Sequence, residues 1–206
     1  AIHKYESKTF LSEFGLRQDF RDQFSSIVNY NLNAGYKVPT YESLIYFNYA
    51  TGFKTPSLVQ LYSSYGNQNL NEEKSNSAEF AVEKSWGSSY FVSVSYFINQ
   101  YHDLIDFDSV TSKYFNIAKS SSKGLELQSK WGPTEHFFLK GTFTHLNAKN
   151  EVTGNKLLRR PELHLTFEAT YLFEQLESSL EYLFSGNRTD MDPVSFQPTT
   201  MPDYDL

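Results

Sequence analysis

A chain of 206 residues with 24 acidic and 18 basic side chains carries a formal charge of -6 at neutral pH, which speaks against nucleic acid, whose backbone calls for clustered Lys and Arg. Cysteine is absent, so a disulfide framework, a thiol nucleophile and a thiolate metal site are all excluded. Aromatics make up 17% of the residues although mean hydropathy is -0.50, and large rings mixed into a polar chain suit an all-β protein with one apolar and one wet face.

Taken in chain order, the segments alternate with period two. The chain opens as if in mid-strand at Ala1-Ile2-His3, as expected of a truncated exported chain. From Ser26 onward, Val28, Tyr30, Leu32, Ala34 and Tyr36 share one face, with Asn29, Asn31, Asn33 and Lys37 on the other. Tyr41, Ile45, Phe47 and Tyr49 then oppose Glu42, Asn48 and Gly52. Tyr90, Val92, Val94, Tyr96 and Ile98 face away from Ser93, Ser95 and Asn99. Leu125, Leu127 and Trp131 oppose Glu126, Gln128 and Lys130; Leu163, Leu165, Phe167, Ala169 and Tyr171 oppose His164, Thr166, Glu168 and Thr170. Leu176, Leu180, Tyr182 and Phe184 close the series against Glu177, Ser179 and Glu181.

About nine strands are expected on this pattern, and short and long connectors alternate between them. Val38-Pro39-Thr40, Gly87-Ser88, Gly132-Pro133-Thr134 and Phe173-Glu174-Gln175 read as tight turns; Lys54 to Asn76, Asp103 to Lys113 and Ala148 to Arg160 read as long polar connections. That alternation puts every short turn at one end of an antiparallel up-and-down sheet, the layout of a transmembrane barrel. Trp86 and Trp131 each precede a short turn on the apolar face, where a headgroup interface selects amphipathic rings. Lys84 is the one awkward charge on that face, able to snorkel or to be turned inward by a bulge. Glu79, Glu83, Glu126, Lys130, Lys140, Glu168, Glu177 and Glu181 share the polar face and need water or one another, which favours a wide lumen and a barrel with further strands. A soluble β-sandwich binding module shows the same alternation, but rows of Tyr and Phe and alternating loop lengths count against it.

Several segments resemble the TonB-dependent receptor family, in particular its cobalamin-receptor (BtuB-like) branch. The resemblance lies in Tyr49-Ala50-Thr51-Gly52-Phe53-Lys54-Thr55-Pro56-Ser57 with Leu61-Tyr62, in Gly66-Asn67-Gln68-Asn69-Leu70-Asn71-Glu72-Glu73-Lys74-Ser75 with Glu79, and in Asn99-Gln100-Tyr101-His102-Asp103-Leu104-Ile105. It continues through Tyr114-Phe115-Asn116 with Lys123-Gly124-Leu125-Glu126, Leu157-Leu158-Arg159-Arg160-Pro161, and Gly186-Asn187-Arg188-Thr189-Asp190. It implies that residues 1–206 are part of a barrel of about 22 strands whose N-terminal plug domain and last strands lie outside this sequence. It implies a receptor in the bacterial outer membrane, contacting lipid and lipopolysaccharide, driven by TonB through the absent N-terminal region, and importing cobalamin or a ferric siderophore.

Within that frame, Tyr62, Tyr65, Asn67 and Asn69 in the longest connector are the ligand-contact candidates, through rings and amides; turn formation and ring packing within the loop are the simpler account of them. Arg159 and Arg160 could grip an anion, face lipopolysaccharide phosphates or pair with carboxylates. Asp103, Asp106 and Asp108, and Asp190 with Asp192, lack the spacing of a calcium loop and read as solvated loop acids. His3, His102, His136, His145 and His164 are dispersed, and no nucleophile elbow, P-loop or dinucleotide fingerprint occurs, so no catalytic residue, metal site or cofactor is expected. A structural or adhesive barrel without transport is the other membrane reading.

Overall fold

The computed structural model describes residues 1–20, 26–195 and 197–206. Among them the strands are β1 (Ile2–Glu6), β2 (Phe10–Asp19), β3 (Ile27–Val38), β4 (Ser43–Lys54), β5 (Glu73–Trp86), β6 (Tyr90–Asp108), β7 (Lys113–Trp131), β8 (Phe137–Asn150), β9 (Leu163–Phe173), β10 (Leu176–Ser185), β11 (Arg188–Met191), β12 (Pro198–Met201) and β13 (Tyr204–Asp205). One short helix, α1 (Leu58–Tyr62), lies in the connection between β4 and β5. Strands β1 to β10 follow one another in space as in sequence, and β13 adds to the far edge of β10, giving eleven antiparallel strands. Strands β11 and β12 pair only with each other.

The register explains the sequence pattern. One row of directly paired residues runs Phe10, Tyr36, Ile45, Val82, Val94, Leu127, Phe143, Leu165, Phe184 across nine strands. The adjoining row on the opposite face runs Leu11, Gly35, Tyr46, Ala81, Ser95, Glu126, Thr144, His164, Ser185. Because strand side chains alternate, one apolar row beside one small and polar row fixes which face each strand presents and resists a one-residue slip.

What the sheet lacks is a core. Val28, Tyr96, Leu127 and Phe167 keep 47, 44, 39 and 40% of their surface exposed, so among the described residues no second sheet covers the apolar face. Among the described residues the buried aliphatic side chains are few: Leu61, Leu70, Ala81, Ile117 and Ala148. A soluble sandwich would bury these rows; here they stay bare.

The sheet has eleven strands where about nine are expected. Two flanking strands, β1 with five residues and β13 with two, are too short to display a period. Tight turns join β1 to β2, β3 to β4, β5 to β6, β7 to β8 and β9 to β10, all at one end. The opposite end carries the longer connections, with one correction: the stretch from Asp103 to Lys113 is mostly strand, and only residues 109–112 turn between β6 and β7. Both strands are 19 residues long, roughly 60 Å at the strand rise, where about 9–11 residues cross a bilayer. The hairpin therefore stands well clear of its neighbours. Beyond the apolar band both faces of a strand meet water, the alternation fades, and a strand there reads as a loop.

Lys84 stays on the apolar face, because the ladders on both sides of β5 run through it without a bulge. Its ammonium bonds the Tyr41 carbonyl and sits 5.1 Å from the Trp86 ring centroid, at the tight-turn end. Trp86 stacks on Tyr90 at 5.0 Å. The charge is thus held by a carbonyl and an aromatic face at the level where rings collect.

Candidate ligand-facing mouth

The end bearing the long connections is built around the protruding β6–β7 hairpin. Its polar-face residues include Phe107, Tyr114 and Asn116, placed by alternation on the same side as Glu126 and Gln128. The connection 55–72 lies on that side. Helix α1 starts with a capping box, in which the Ser57 hydroxyl accepts from the Gln60 N–H and the Ser57 N–H donates to the Gln60 side chain. Gly66 then approaches the helix so closely that a Cβ would stand 2.6 Å from the Leu61 carbonyl oxygen, which excludes any side chain there.

The candidate residues Tyr65, Asn67 and Asn69 are drawn together, and Tyr65 and Asn67 are bonded to Tyr114 of β7. The Asn67 side chain accepts from the Asn69 N–H at 2.9 Å and donates to the Tyr114 carbonyl at 3.0 Å. The Tyr65 carbonyl accepts from the Tyr114 N–H at 3.1 Å. The Tyr65 ring meets Phe107 edge-on at 5.9 Å, and Phe107 meets Tyr114 at 5.2 Å, forming one aromatic run with Tyr65 and Phe107 still half exposed. Tyr62 ends α1 and is 59% exposed.

Sequence reasoning missed the residues that anchor this connection. Asn116 accepts from the Asn71 N–H at 2.9 Å and donates to the carbonyls of Asn71 at 3.2 Å and Asp103 at 2.6 Å. Asp103 adopts a left-handed conformation, φ 57°, at the point where its carbonyl meets that amide. The Lys113 ammonium donates to the carbonyls of Ser64 and Gly66, each at 3.2 Å. Glu73 accepts from the Ile105 N–H at 3.0 Å and pairs with Lys54 at 3.2 Å. The available signal was Asn116 itself, a residue type disfavoured inside strands yet set three residues after the start of β7.

Arg159 and Arg160 belong to a second cluster. Arg159, with φ 58°, donates from its backbone N–H to the Thr189 carbonyl at 2.8 Å and from Nε to Asp190 at 3.0 Å. Arg160 is exposed, with Nη1 on the Arg159 carbonyl at 3.2 Å. The connection 151–162 is thereby tied to the β11–β12 hairpin. The Met191 N–H and the Arg159 guanidinium hold the Asp190 carboxyl below the usual carboxylate range. Asp108 is lowered in the same way by the Thr111 hydroxyl and the Val110 N–H, and Asp192 by the Ser195 N–H and hydroxyl. These loop acids shape turns.

Down the polar face the charges answer one another. Lys4 pairs with Glu13 at 2.8 Å, Lys37 with Glu6 at 2.6 Å and Lys140 with Glu168 at 3.1 Å. Asn48 donates to Glu79 at 3.1 Å, and Gln128 to Glu126 at 2.5 Å. Small side chains are buried beside these longer ones, Ser93 opposite Gln128 and Ser95 opposite Glu126.

An up-and-down antiparallel sheet that is bare and apolar on one side, polar and charged on the other, is the wall of a β-barrel. The chain belongs to the TonB dependent receptor-like β-barrel family, whose model matches residues 4–206. Solved structures agree in fold. The copper transporter OprC superposes with a TM-score of 0.79 at 15% identity, covering 98% of this chain and 36% of that one. A variant of the ferric enterobactin receptor PfeA from Pseudomonas aeruginosa gives 0.78 at 18% identity, covering 97% and 34%. The siderophore receptor PirA from Acinetobacter baumannii gives 0.78 at 18% identity, covering 97% and 36%. The chain spans about a third of the length of the structures it matches, as a partial barrel of a larger receptor does.

Proposed function

We propose that this chain is part of the wall of a bacterial outer-membrane receptor that captures a scarce metal chelate and, with the rest of its barrel, a plug domain and TonB, passes it inward. The observation that carries the reading is the uncovered apolar face. Rows of Val, Leu, Phe and Tyr about two-fifths exposed over most strands find their natural solvent in acyl chains, while the facing Glu, Lys, Asn and Ser line water. Trp86, Trp131 and Lys84 then sit at the periplasmic headgroups, and the long connections face outward, toward lipopolysaccharide and the ligand.

In this reading the ligand meets Tyr62 and the half-exposed rings of Tyr65 and Phe107. The amides of Asn67 and Asn69 hold the loop that presents those rings, and Arg160 offers a guanidinium for anionic groups on the ligand or on lipopolysaccharide. Arg159 acts through Asp190. A ferric siderophore is the first ligand class to try, because receptors of similar fold carry that name; cobalamin is the second, on the motif resemblance. No step here calls for catalysis.

The test uses the complete receptor that contains this segment. It should fractionate with the outer membrane, migrate as a heat-modifiable band and bind ferric enterobactin or cyanocobalamin. Recovery as a soluble, cooperatively folding monomer would overturn the membrane assignment. Correct insertion with no chelate bound would leave a structural or adhesive barrel.

A further inference from the structure

We infer that the connection 55–72 is a fixed strap across the inner side of the mouth, and that Asn116 is the pin that holds it. The inference uses the receptor reading for one thing only, which side of the sheet is the inside.

The geometry of β7 shows the strap's path. Strand β8 pairs with β7 only from Ser120 to Trp131, so the far edge of residues 113–119 lacks a β8 neighbour. An unpaired edge on a protruding hairpin invites unwanted pairing. The connection 55–72 leaves β4 and re-enters at β5, on the other side of the hairpin. To reach Tyr114, it must cross the hairpin, and it does so on the face of Phe107, Tyr114 and Asn116. There the Tyr65 carbonyl and the Asn67 amide take the N–H and C=O of Tyr114, occupying part of that edge. On its way back it is gripped at Asn71 by Asn116.

Four kinds of attachment act along this one crossing. Asn116 makes three hydrogen bonds with two backbone segments, Lys113 bridges the carbonyls of Ser64 and Gly66, Tyr65 packs on Phe107, and Glu73 fastens Ile105 at the strap's root. The strap also contains Leu61 and Leu70, two of the few buried aliphatic side chains among the described residues. A loop that opens and closes would keep its backbone groups free to exchange partners; this one has committed those of Ser64, Tyr65, Gly66 and Asn71. The Asp103 carbonyl, presented by a left-handed residue, completes the Asn116 site. Asn116 is a positioning residue: it fixes where Tyr62 and Tyr65 stand. Movement during ligand capture then falls to other parts of the mouth, of which the connection 151–162 is one.

Residues 1–206 contain no cysteine, so a label placed among them meets no other thiol of this segment. Spin labels at Leu58→Cys, exposed on α1, and at Val110→Cys in the complete receptor, in outer-membrane vesicles, should give one narrow distance distribution that ferric enterobactin leaves unchanged. A broad or two-peaked distribution, or a shift on adding the chelate, overturns the strap. Asn116→Ala and Asn116→Asp, both lacking the two donated bonds, should broaden it while the barrel keeps its heat-modifiable migration; a narrow distribution in both variants removes Asn116 from the role. In a second arm, a Ser64→Cys/Lys113→Cys pair is oxidised or reduced before ferric enterobactin uptake is measured. The oxidised-to-reduced ratio should stay near one, and a tenfold fall on oxidation overturns the strap. If neither form takes up chelate while the distance stays narrow, the strap stands and the siderophore reading fails.

Discussion

The wall and the mouth of this molecule are stabilised by opposite means. In the wall, the ladder between strands provides order and the apolar side chains touch little protein; Phe80 is 52% exposed in the middle of β5. In the mouth, side chains do the holding, through Asn67, Lys113, Asn116, Glu73 and the rings of Tyr65, Phe107 and Tyr114. With the wall set in a membrane, as proposed, the difference follows from solvent. Acyl chains cannot compete for a backbone hydrogen bond, so the ladder is safe and a bare apolar face is stable. Water competes for every loop amide, so a loop keeps its shape only where side chains and local turns fix it.

A charge placed on the outer face should produce the largest effect. Leu127→Arg, in the middle of the apolar row, should cost about 2–4 kcal/mol of folding stability in vesicles, read by urea titration. Gln128→Arg, one residue along and facing the polar side, should cost under about 1 kcal/mol. Equal costs would mean that the two faces share one environment, and the wall reading fails.

Glycines sharpen the comparison at the next level. At Gly124 a Cβ would stand 2.3 Å from the His145 carbonyl oxygen and 2.7 Å from the Phe97 ring. Backbone cannot yield as a side-chain tip can, so Gly124→Ala should cost about 1–3 kcal/mol. On the opposite face Gly141 has only the Thr166 oxygen within reach, at 3.9 Å, and Gly141→Ala should be neutral or stabilising by under about 1 kcal/mol. Unfolding of both variants in the same vesicles settles the order. Smaller still is Lys84→Ala, which removes a cation–π contact and one bond to a carbonyl; about 0.5–1 kcal/mol should go, and Lys84→Arg should retain most of it.

The same contrast explains what could be read from the chain alone. Inside the apolar band each residue faces one of two solvents, so Val92, Val94 and Tyr96 against Ser93 and Ser95 disclose both strand and face. The tight turns show for a similar reason, since Pro39, Gly87 and Gly132 have few other uses there. Above the band both faces meet water. Leu104, Ile105 and Phe107 then interleave with Asp103, Asp106 and Asp108 on no single pattern, and the last six residues of β6 read as loop. The candidate residues of the longest connector were locatable, because loops carry contacts. Their partners were not, because Asn67 and Tyr114, or Asn71 and Asn116, meet only through topology, at 47 and 45 residues' separation.

A difference within the mouth provides the finest test, since its two connections are held by different chemistry. The strap's crossing is fastened mainly by amides and carbonyls, which do not titrate, with the Glu73 carboxylate only at its root, whereas the connection 151–162 is tied to β11 by a carboxylate beside one backbone bond. Asp190 is held below its ordinary value of 3.8 by the Met191 N–H and the Arg159 guanidinium. A carboxyl with a depressed folded-state pKa adds stability that is present above its unfolded pKa and lost as pH falls through the folded one. The tie between Arg159 and Asp190 should therefore hold at neutral pH and loosen below about pH 4. Because the Arg159 side chain is 71% exposed although Asp190 is only 17% exposed, the loss should be local and should shrink with added salt. A spin label at Thr153→Cys should grow more mobile from pH 5 to pH 2, while one at Tyr62→Cys stays unchanged. Asp190→Asn should show the acid-like mobility already at pH 7 and respond little to acid. Equal acid responses at the two labels would mean that the two connections are held alike, and would remove the distinction between a pinned strap and a titratable tie.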